Sequence, residues 1–241
     1  MMTDLNARLS VRPLYIQVRD ALVQKITGGD WRPGAALPNE TQLAQSLGIS
    51  IGTVRKALDM MEIERIVTRR QGRGTFVNDY ASSDTPFPFS TIRNSEGKRV
   101  SGERHGRSVT RVQASVEEAK RLGVRPDDEL IRVDRSRSHN RLTFMVETCL
   151  LPAKHFRRLP EELGRYRLSV LAQQNSILLG HADEKVDIVP ANEADARELG
   201  VPELTPLLRL DRVIFSDNHD ALEWRVGRCF LRHLHYTVQF T

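Results

Sequence analysis

The C-terminal part of the chain contains an internal repeat that limits the folds it can adopt. Residues 114–135 (ASVEEAKRLGVRPDDELIRVDR) align without a gap with residues 191–212 (ANEADARELGVPELTPLLRLDR), and nine of the 22 aligned positions are identical. Each copy predicts a short helix that ends at a Leu-Gly-Val sequence and is followed by two strands. Two helix–strand–strand units can pair their strands into one antiparallel sheet, and ligands favour the junction where such halves meet. We therefore expect a duplicated α+β domain.

Charged residues on the strands of this repeat mark a candidate binding site. The strand LIRVDRSR places Arg135 and Arg137 on the same face as two aliphatic residues, because alternate residues of a strand point to the same side. Charges on a face that begins apolar are expected to have partners. Glu147 and Glu223, near the middle of the second strand of the two copies, can supply them. This pattern fits either a polar ligand pocket or salt bridges at the rim of the sheet.

Three helices are predicted in residues 1–77. Pro13 can begin the first, and Asn39 and Ser50 can cap the second and the third. A tight glycine turn separates the last two helices, which predicts a helix-turn-helix whose second helix enters the major groove of DNA by its N-terminal end. The same spacing also fits an αα-hairpin in a protein core. The candidate DNA contacts on this helix are Ser50, Ile51, Thr53, Arg55 and Lys56.

A basic hairpin follows the third helix. Residues 66–68 and 75–77 predict two short strands, joined by the sequence RRQGRG with its three arginines and two glycines. Glycines permit a tight turn close to a nucleic-acid backbone, and arginines can pair with phosphates or enter the minor groove. After a helix-turn-helix, such a hairpin predicts the wing of a winged helix. Its candidate DNA contacts are Arg70, Gln71, Gly72 and Arg73.

The charge and composition agree with a two-domain DNA-binding protein. Residues 1–77 hold 11 Lys or Arg against 7 Asp or Glu, so most of the net charge of +5 lies there, as phosphate contacts require. Residues 78–88 (NDYASSDTPFP) are polar with two prolines and predict a linker between domains 1–77 and 89–241. The chain has no transmembrane-length run of apolar residues and no signal peptide, so we expect a cytoplasmic protein without a membrane partner. Cys149 and Cys229 lack metal-ligand spacing, so we expect buried thiols and no metal or cofactor.

Four segments of the N-terminal domain stand in an order and spacing typical of one family: PLYIQVRDALVQKI, GGDWRPGAALPNE, LGISIGTVRKAL and VTRRQGRGTFV. They resemble the GntR family of bacterial transcription regulators. The resemblance implies a winged helix-turn-helix in which Arg55 contacts a phosphate or a guanine. It also implies that Gln71 and Gly72 reach the minor groove and that Ser50 and Thr53 hold the DNA backbone.

Two departures from the family pattern bear on the DNA sequence that is recognised. Thr41 and Ile51 stand where the family commonly has arginine. Because a bidentate arginine on guanine gives about 1–3 kcal/mol of discrimination between bases, we expect an operator that differs from the family's usual sequence. Ile51 can instead contact a thymine methyl group.

The segments EEAKRLGVRPDDELIRVDRSR, VETCLLP, RLSVL and ARELGVPELTPLLRLDRV carry a second resemblance. Residues 89–241 resemble the UTRA domain, the effector-binding domain of the HutC subfamily of GntR regulators, which has a chorismate lyase-like fold with an antiparallel sheet. The segment after Glu223 lacks the Ser and Tyr common in sugar-phosphate-sensing relatives, so a sugar phosphate is not expected. The effector contacts that the resemblance implies are Ser90, Arg135, Arg137, Glu147, Ser169 and Glu223.

These features predict a DNA-binding transcription regulator, and we expect a repressor. One short recognition helix buries too little surface for specific affinity, so we expect a homodimer on a palindromic, double-stranded operator. Arg135 and Arg137 can hold a carboxylate or phosphate by paired hydrogen bonds, so we expect a small anionic effector that releases the operator. Two alternatives stay open: the C-terminal domain only dimerises, or it is an enzyme like the lyase that has this fold. The sequence offers no catalytic triad, metal set or phosphate loop, so we expect no enzyme.

Overall fold

The computed structural model describes residues 12–80 and 89–238. The chain divides into two compact units, Met1–Thr85 and Pro86–Thr241. Residues 81–88 of the predicted linker lie outside the described residues, whereas Asn78 and Tyr80 belong to the first unit. The Asn78 Nδ2 and the Tyr80 hydroxyl each donate a hydrogen bond of 2.6 Å to the Arg65 carbonyl oxygen. No helix in the described ranges combines the length and the apolar character that crossing a membrane requires.

Three helices of the first unit begin where the sequence predicts. They are α1 (Leu14–Gly28), α2 (Glu40–Leu47) and α3 (Ile51–Ile63). Asn39 begins α2 with a capping box, since its side chain accepts from the Gln42 N–H while the Gln42 side chain accepts from the Asn39 N–H. Ser50 caps α3 by accepting from the Thr53 N–H. The apolar sides of these helices form a core that includes Leu22, Leu43, Val54, Leu58 and Met61.

The wing has longer strands and a shorter turn than the sequence predicts. Strands β1 (Val67–Arg70) and β2 (Gly74–Val77) pair antiparallel, with Arg70 opposite Gly74. The turn therefore comprises only residues 71–73, and the prediction of a six-residue loop is wrong. Gly72 and Gly74 have φ angles of +69° and +104°, which glycine adopts without strain, so the chain can reverse within three residues.

One six-stranded antiparallel sheet forms the centre of the second unit. The strands of this unit are β3 (Ile92–Arg93), β4 (Glu103–Gln113), β5 (Glu129–His139), β6 (Leu142–Pro152), β7 (Leu179–Pro190), β8 (Pro206–Ser216), β9 (Ala221–Cys229) and β10 (His235–Tyr236). The order in the sheet is β4–β5–β6–β9–β8–β7, and β3 pairs with β10 in a separate ribbon. The predicted α+β domain with a duplicated antiparallel sheet is thereby confirmed.

Each repeat consists of a strand, a helix and two further strands. Helix α4 (Val116–Leu122) lies between β4 and β5, α5 (Leu168–Gln174) lies between the repeats, and α6 (Glu193–Leu199) lies between β7 and β8. The predicted helix–strand–strand unit omitted the first strand of each repeat. These strands, β4 and β7, end at the residue directly before each aligned segment. Both strands are exposed edges of the sheet: β4 shows no alternation of apolar and polar residues, and β7 alternates only over residues 185–188.

Cys149 and Arg225 lie opposite each other at the centre of the sheet. They are register partners on β6 and β9. They are also equivalent positions of the two repeats, since each lies two positions after the equivalent glutamates Glu147 and Glu223. The pseudo-two-fold axis that relates the repeats therefore passes through this pair. Both cysteines are free and buried, as the sequence predicts.

The two faces of the sheet are covered differently. Helices α4 and α6 pack on one face. The other face carries two apolar clusters, one that includes Leu168 of α5 and one that includes Ile92 of β3. Along β6, Cys149 belongs to the first cluster and Met145 to the second, so Glu147 lies between them on the same face.

The helix caps provide a test of the duplication. Ser115 and Asn192, which the repeat aligns with each other, cap α4 and α6 by accepting from a backbone N–H. We expect Ser115→Ala to lower the free energy of unfolding by about 1 kcal/mol, because this N–H loses its acceptor. Ser115→Asn, the matched control, should stay near the wild type. Thermal unfolding of the full chain measures both, and equal melting temperatures of the Ala and Asn variants would contradict the equivalence of the caps.

Candidate functional site

The N-terminal end of α3 exposes the predicted DNA contacts. Ser50, Arg55 and Lys56 are exposed, and Thr53 is half-buried. Ile51 is 41% exposed, which is unusual for a large apolar side chain and suits contact with another surface. The Ser50 and Thr53 hydroxyl oxygens lie 2.9 Å apart and hold each other at the start of the helix. This end of α3 is therefore a rigid, accessible surface.

A carboxylate from α2 holds Arg55. The Arg55 Nε and Nη2 donate to Glu40 Oε2 at 3.0 and 2.8 Å. The hydrogen bond and the charge of Glu40 raise the pKa of Arg55. The Arg55 side chain stays 61% exposed, so Glu40 orients the guanidinium without enclosing it.

Arg69 joins the wing to α3, unlike the other wing arginines. Its Nη1 forms ion pairs with Asp59 and, at 3.3 Å, with Glu62 Oε2, and its backbone N–H donates to Glu62 Oε1 at 3.0 Å. Two carboxylates of α3 therefore engage the arginine that the sequence assigns with its neighbours to phosphate contacts. Arg69 positions the wing, and the exposed residues that remain at the tip are Arg70, Gln71, Gly72 and Arg73.

In the second unit, three arginines surround one buried carboxylate. Arg135 Nε donates to Glu147 Oε1 at 2.6 Å, as their opposite positions on β5 and β6 allow. Arg225 Nε and Arg137 Nη1 lie 3.6 and 3.8 Å from Glu147 Oε2. None of the four side chains is more than 7% exposed, which excludes salt bridges at the rim of the sheet. The structure thus brings three predicted residues together with Arg225, which the sequence analysis does not select.

The charges of this cluster stabilise one another. Burial alone raises the pKa of Glu147, but Arg135, Arg225 and Arg137 lower it well below its usual range. Burial lowers the pKa of Arg137 to about 10 despite the attraction of Glu147. Burial also opposes the charge of Arg135, yet the charge of Glu147 and the hydrogen bond to it raise the pKa of Arg135. The four groups are therefore ionised at neutral pH.

Glu223 does not form the predicted ion pair with these arginines. It is buried on β9 at the position equivalent to Glu147, but no described residue forms an ion pair with it. In the second repeat, Arg212 occupies the position of Arg135, and its Nε lies 2.6 Å from Glu184 Oε1 on the edge strand β7. The equivalent arginines therefore pair in opposite directions across the sheet.

The hydroxyl groups of two predicted serines are buried without hydrogen bonds. The Oγ atoms of Ser90 and Ser169 have no partner among the described residues, and Glu147 Oε2 also has none. Arg135 Nη1 donates to the Tyr166 carbonyl at 2.8 Å, which brings the start of α5 close to the cluster. Buried polar groups normally have partners, so the two serine hydroxyl groups are available to a ligand, whereas Glu147 Oε2 keeps its ion-pair contacts with Arg137 and Arg225.

A narrow pocket beside the cluster contains, besides Arg225, two further arginines that the sequence analysis misses. Arg212 could be found, because the alignment of the two repeats places it opposite Arg135. Arg104 gives no such signal, since it lies on the edge strand β4. No described acidic residue lines the pocket, and its polar lining includes Ser90, Ser101, Arg104, Arg137, Arg212 and Arg225.

The chain is similar to known regulators over nearly its whole length. Residues 14–77 match the gntR family of bacterial regulatory proteins, and residues 105–233 match the UTRA domain. The HTH-type transcriptional repressor NagR of Bacillus subtilis (strain 168) is 27% identical over 217 residues, which cover 88% of both chains. A histidine utilization repressor of Pseudomonas putida is 32% identical over 116 residues, 47% of this chain and 46% of that one. The crystal structure of PhnF from Mycobacterium smegmatis shares the fold with a TM-score of 0.56 and 22% identity, covering 93% and 99% of the two chains.

Replacing Glu147 by glutamine tests the central position of its carboxylate. We expect Glu147→Gln to destabilise the second unit by about 3–5 kcal/mol, because three buried guanidinium groups lose their carboxylate. Thermal unfolding of the full chain detects the change as a lower melting temperature. Glu162→Gln is the matched control, since its ion pair with Arg165 is exposed and such pairs contribute about 0–1 kcal/mol. Equal melting temperatures of the two variants would contradict the central role of Glu147.

Proposed function

Because this chain belongs to the GntR family of bacterial regulatory proteins and carries the UTRA domain of its HutC subfamily, we propose that it is a repressor released from its operator by a small anionic metabolite. The protein is a DNA-binding transcription regulator, as both matched families indicate. Its proposed place of action is the cytoplasm, where a bacterium keeps its operator DNA.

The buried cluster around Glu147 is the observation that supports an anionic effector. Buried polar groups without partners destabilise a fold, and a ligand that completes them offsets this penalty. An anionic group is suited to the site, because a carboxylate or phosphate can accept two hydrogen bonds from one guanidinium. The proposed effector contacts are Ser90, Arg135, Arg137, Glu147, Ser169 and Glu223.

For operator binding we propose the exposed end of α3 and the tip of the wing. We propose that residues 1–77, with Asn78 and Tyr80 attached to them, bind DNA, and that residues 89–241 bind the effector and dimerise. A homodimer would place two such surfaces on a two-fold symmetric operator. The proposed DNA contacts are Ser50, Ile51, Thr53, Arg55, Lys56, Arg70, Gln71, Gly72 and Arg73.

The effector can release the operator only if it binds one arrangement of the dimer better than the other. A coupling of about 1–3 kcal/mol, typical of such regulators, changes operator affinity about 5- to 150-fold. The second candidate function is a DNA-binding dimer whose C-terminal unit has no ligand. The unpartnered buried atoms of that unit favour the sensor, and we propose no catalytic role for it.

Ligand response is the first test of this proposal. A melting-temperature screen of the full chain against carboxylic acids and phosphate esters identifies the ligand, and a mobility-shift assay measures its effect on operator binding. We expect release of the operator. A ligand that tightened operator binding would contradict the repressor mechanism, and the lack of any response would favour the dimerisation function.

Ser169 gives a variant that separates ligand binding from stability. Its Oγ has no partner to lose, so Ser169→Ala should leave the melting temperature of the free protein unchanged. Loss of a hydrogen bond to the effector should weaken ligand binding about tenfold. Ser136→Ala, on the opposite face of β5, is the matched control and should bind the ligand like the wild type. Wild-type affinity in Ser169→Ala would contradict the proposed contact.

Ile51 provides a test of operator readout. Selection from random double-stranded DNA should give the wild type a two-fold symmetric sequence. Ile51→Arg should shift the preference towards guanine at one position of each half-site by about 1–3 kcal/mol. Ile63→Arg is the control, because Ile63 is 81% exposed at the far end of the same helix. An unchanged base preference in Ile51→Arg would contradict its place in the groove.

A further inference from the structure

The pocket beside the cluster has a wall of four arginines, and two of them bind main-chain carbonyls. Arg137 Nε donates to the Ser101 carbonyl at 2.8 Å, and Arg137 Nη2 makes a second bond to the same oxygen. Arg212 Nη1 donates to the Phe89 carbonyl, and Arg212 Nη2 to Thr91 Oγ1 at 3.3 Å. These bonds fasten residues 89–101 to the sheet.

The other two arginines of the wall are Arg104 and Arg225, and Arg225 Nε lies 3.6 Å from Glu147 Oε2. The Nε atom of each is buried and has no hydrogen-bond partner among the described residues. Burial and the charges of Arg137 and Arg135 lower the pKa of Arg104 well below its usual value. The pocket lining therefore has hydrogen-bond donors without acceptors. No acidic residue of the described lining offsets its positive charge.

The glutamates near the four arginines of the pocket do not balance the positive charge of these arginines. With Arg135, five arginines lie in and beside the pocket, and three glutamates accompany them, which leaves two excess positive charges. Buried charges without partners are costly in a folded protein. The excess therefore indicates the charge that an occupant of this site has to bring. The three glutamates are Glu147, Glu184 and Glu223.

The pocket has no more space than one water molecule requires. A larger ligand can enter only if part of the lining moves. Phe89 and Ser101, at the two ends of residues 89–101, are held by carbonyl–arginine bonds, and an anionic oxygen binds a guanidinium more strongly than a neutral carbonyl does. The same residues directly follow, in the chain, the segment that leads from the first unit.

We propose, building on the function proposed above, that the effector carries two negative charges and replaces the carbonyls of Ser101 and Phe89 on Arg137 and Arg212. One of its remaining oxygens accepts from the free Nε atom of Arg104, and the positive charge of Arg225 attracts it. Phe89 and Ser101 then move away from the two guanidinium groups, so occupation of the pocket acts directly on the start of the second unit. A phosphate or sulfate group, or a small dicarboxylate, has this chemistry.

Simple anions test the charge requirement on the full chain. Sulfate, inorganic phosphate and succinate are the doubly charged probes, and acetate is the singly charged probe at equal ionic strength. We expect the doubly charged probes alone to raise the melting temperature. A larger effect of sulfate and phosphate than of succinate assigns the site to a phosphate-like group, and the reverse order assigns it to a dicarboxylate.

Hydrogen exchange tests the movement. At a saturating concentration of the best probe, backbone amides in residues 89–101 should exchange faster than in the free protein.

Arg104→Gln is the decisive variant. Loss of one charged donor should weaken the binding of the best probe about tenfold or more. Arg111→Gln, on the same strand, is the matched control, because Arg111 is exposed and pairs with Glu129. Ser90→Ala removes a hydroxyl without a partner and should also weaken the probe, which keeps the test available if Arg104→Gln does not fold.

Three results would overturn the inference: acetate stabilising the protein as much as sulfate, Arg104→Gln binding the probe like the wild type, or unchanged exchange in residues 89–101 at saturation. Release of the operator by a singly charged metabolite would overturn it as well, while leaving the proposed function intact. A chain that binds sulfate through Arg104 but binds no operator DNA would overturn the proposed function and support the pocket.

Discussion

The burial of Glu147 among three guanidinium groups is the constraint on which the second unit depends. The two apolar clusters pack on the same face of the sheet, with the arginines between them. Buried arginines are stable there only if a negative charge lies beside them, and Glu147 supplies it. Removing each ion from water costs several kcal/mol, and an apolar replacement of similar volume is often equally stable or more stable. A charged strip at this place is therefore poorly explained by stability alone and well explained by recognition.

The repeats share a fold but not a charge pattern. Arg135 pairs inward, with Glu147 on a central strand, whereas Arg212 pairs outward, with Glu184 on an edge strand. Glu223 consequently remains without an ion pair in the described structure. The opposite pairing of the two equivalent arginines therefore makes a nearly symmetric scaffold asymmetric in charge.

Features that depend on local sequence were predictable, and features that depend on tertiary contacts were not. The caps at Asn39 and Ser50 act within one helical turn, and strand alternation suffices to put Arg135 and Arg137 on one face. The sequence analysis did not predict strands β4 and β7, because an exposed edge strand needs no regular pattern of apolar residues. Arg69 differs from its neighbours in the wing only because two carboxylates of α3 lie beside it in space. Arg104 became a candidate only through the pocket that folding creates.

The pair at the pseudo-two-fold axis has a consequence for stoichiometry. Two identical half-units joined as a dimer would repeat the same residue across the axis, giving either two adjacent guanidinium groups or two thiols. Covalent fusion of the halves removes this restriction, and the chain has Cys149 on one side and Arg225 on the other. Of the two residues at the axis, only Arg225 is an arginine, and its Nε lies 3.6 Å from Glu147 Oε2. Each chain accordingly has one such cluster rather than two, so any cooperativity between the proposed ligand sites has to arise between chains, not within the repeat.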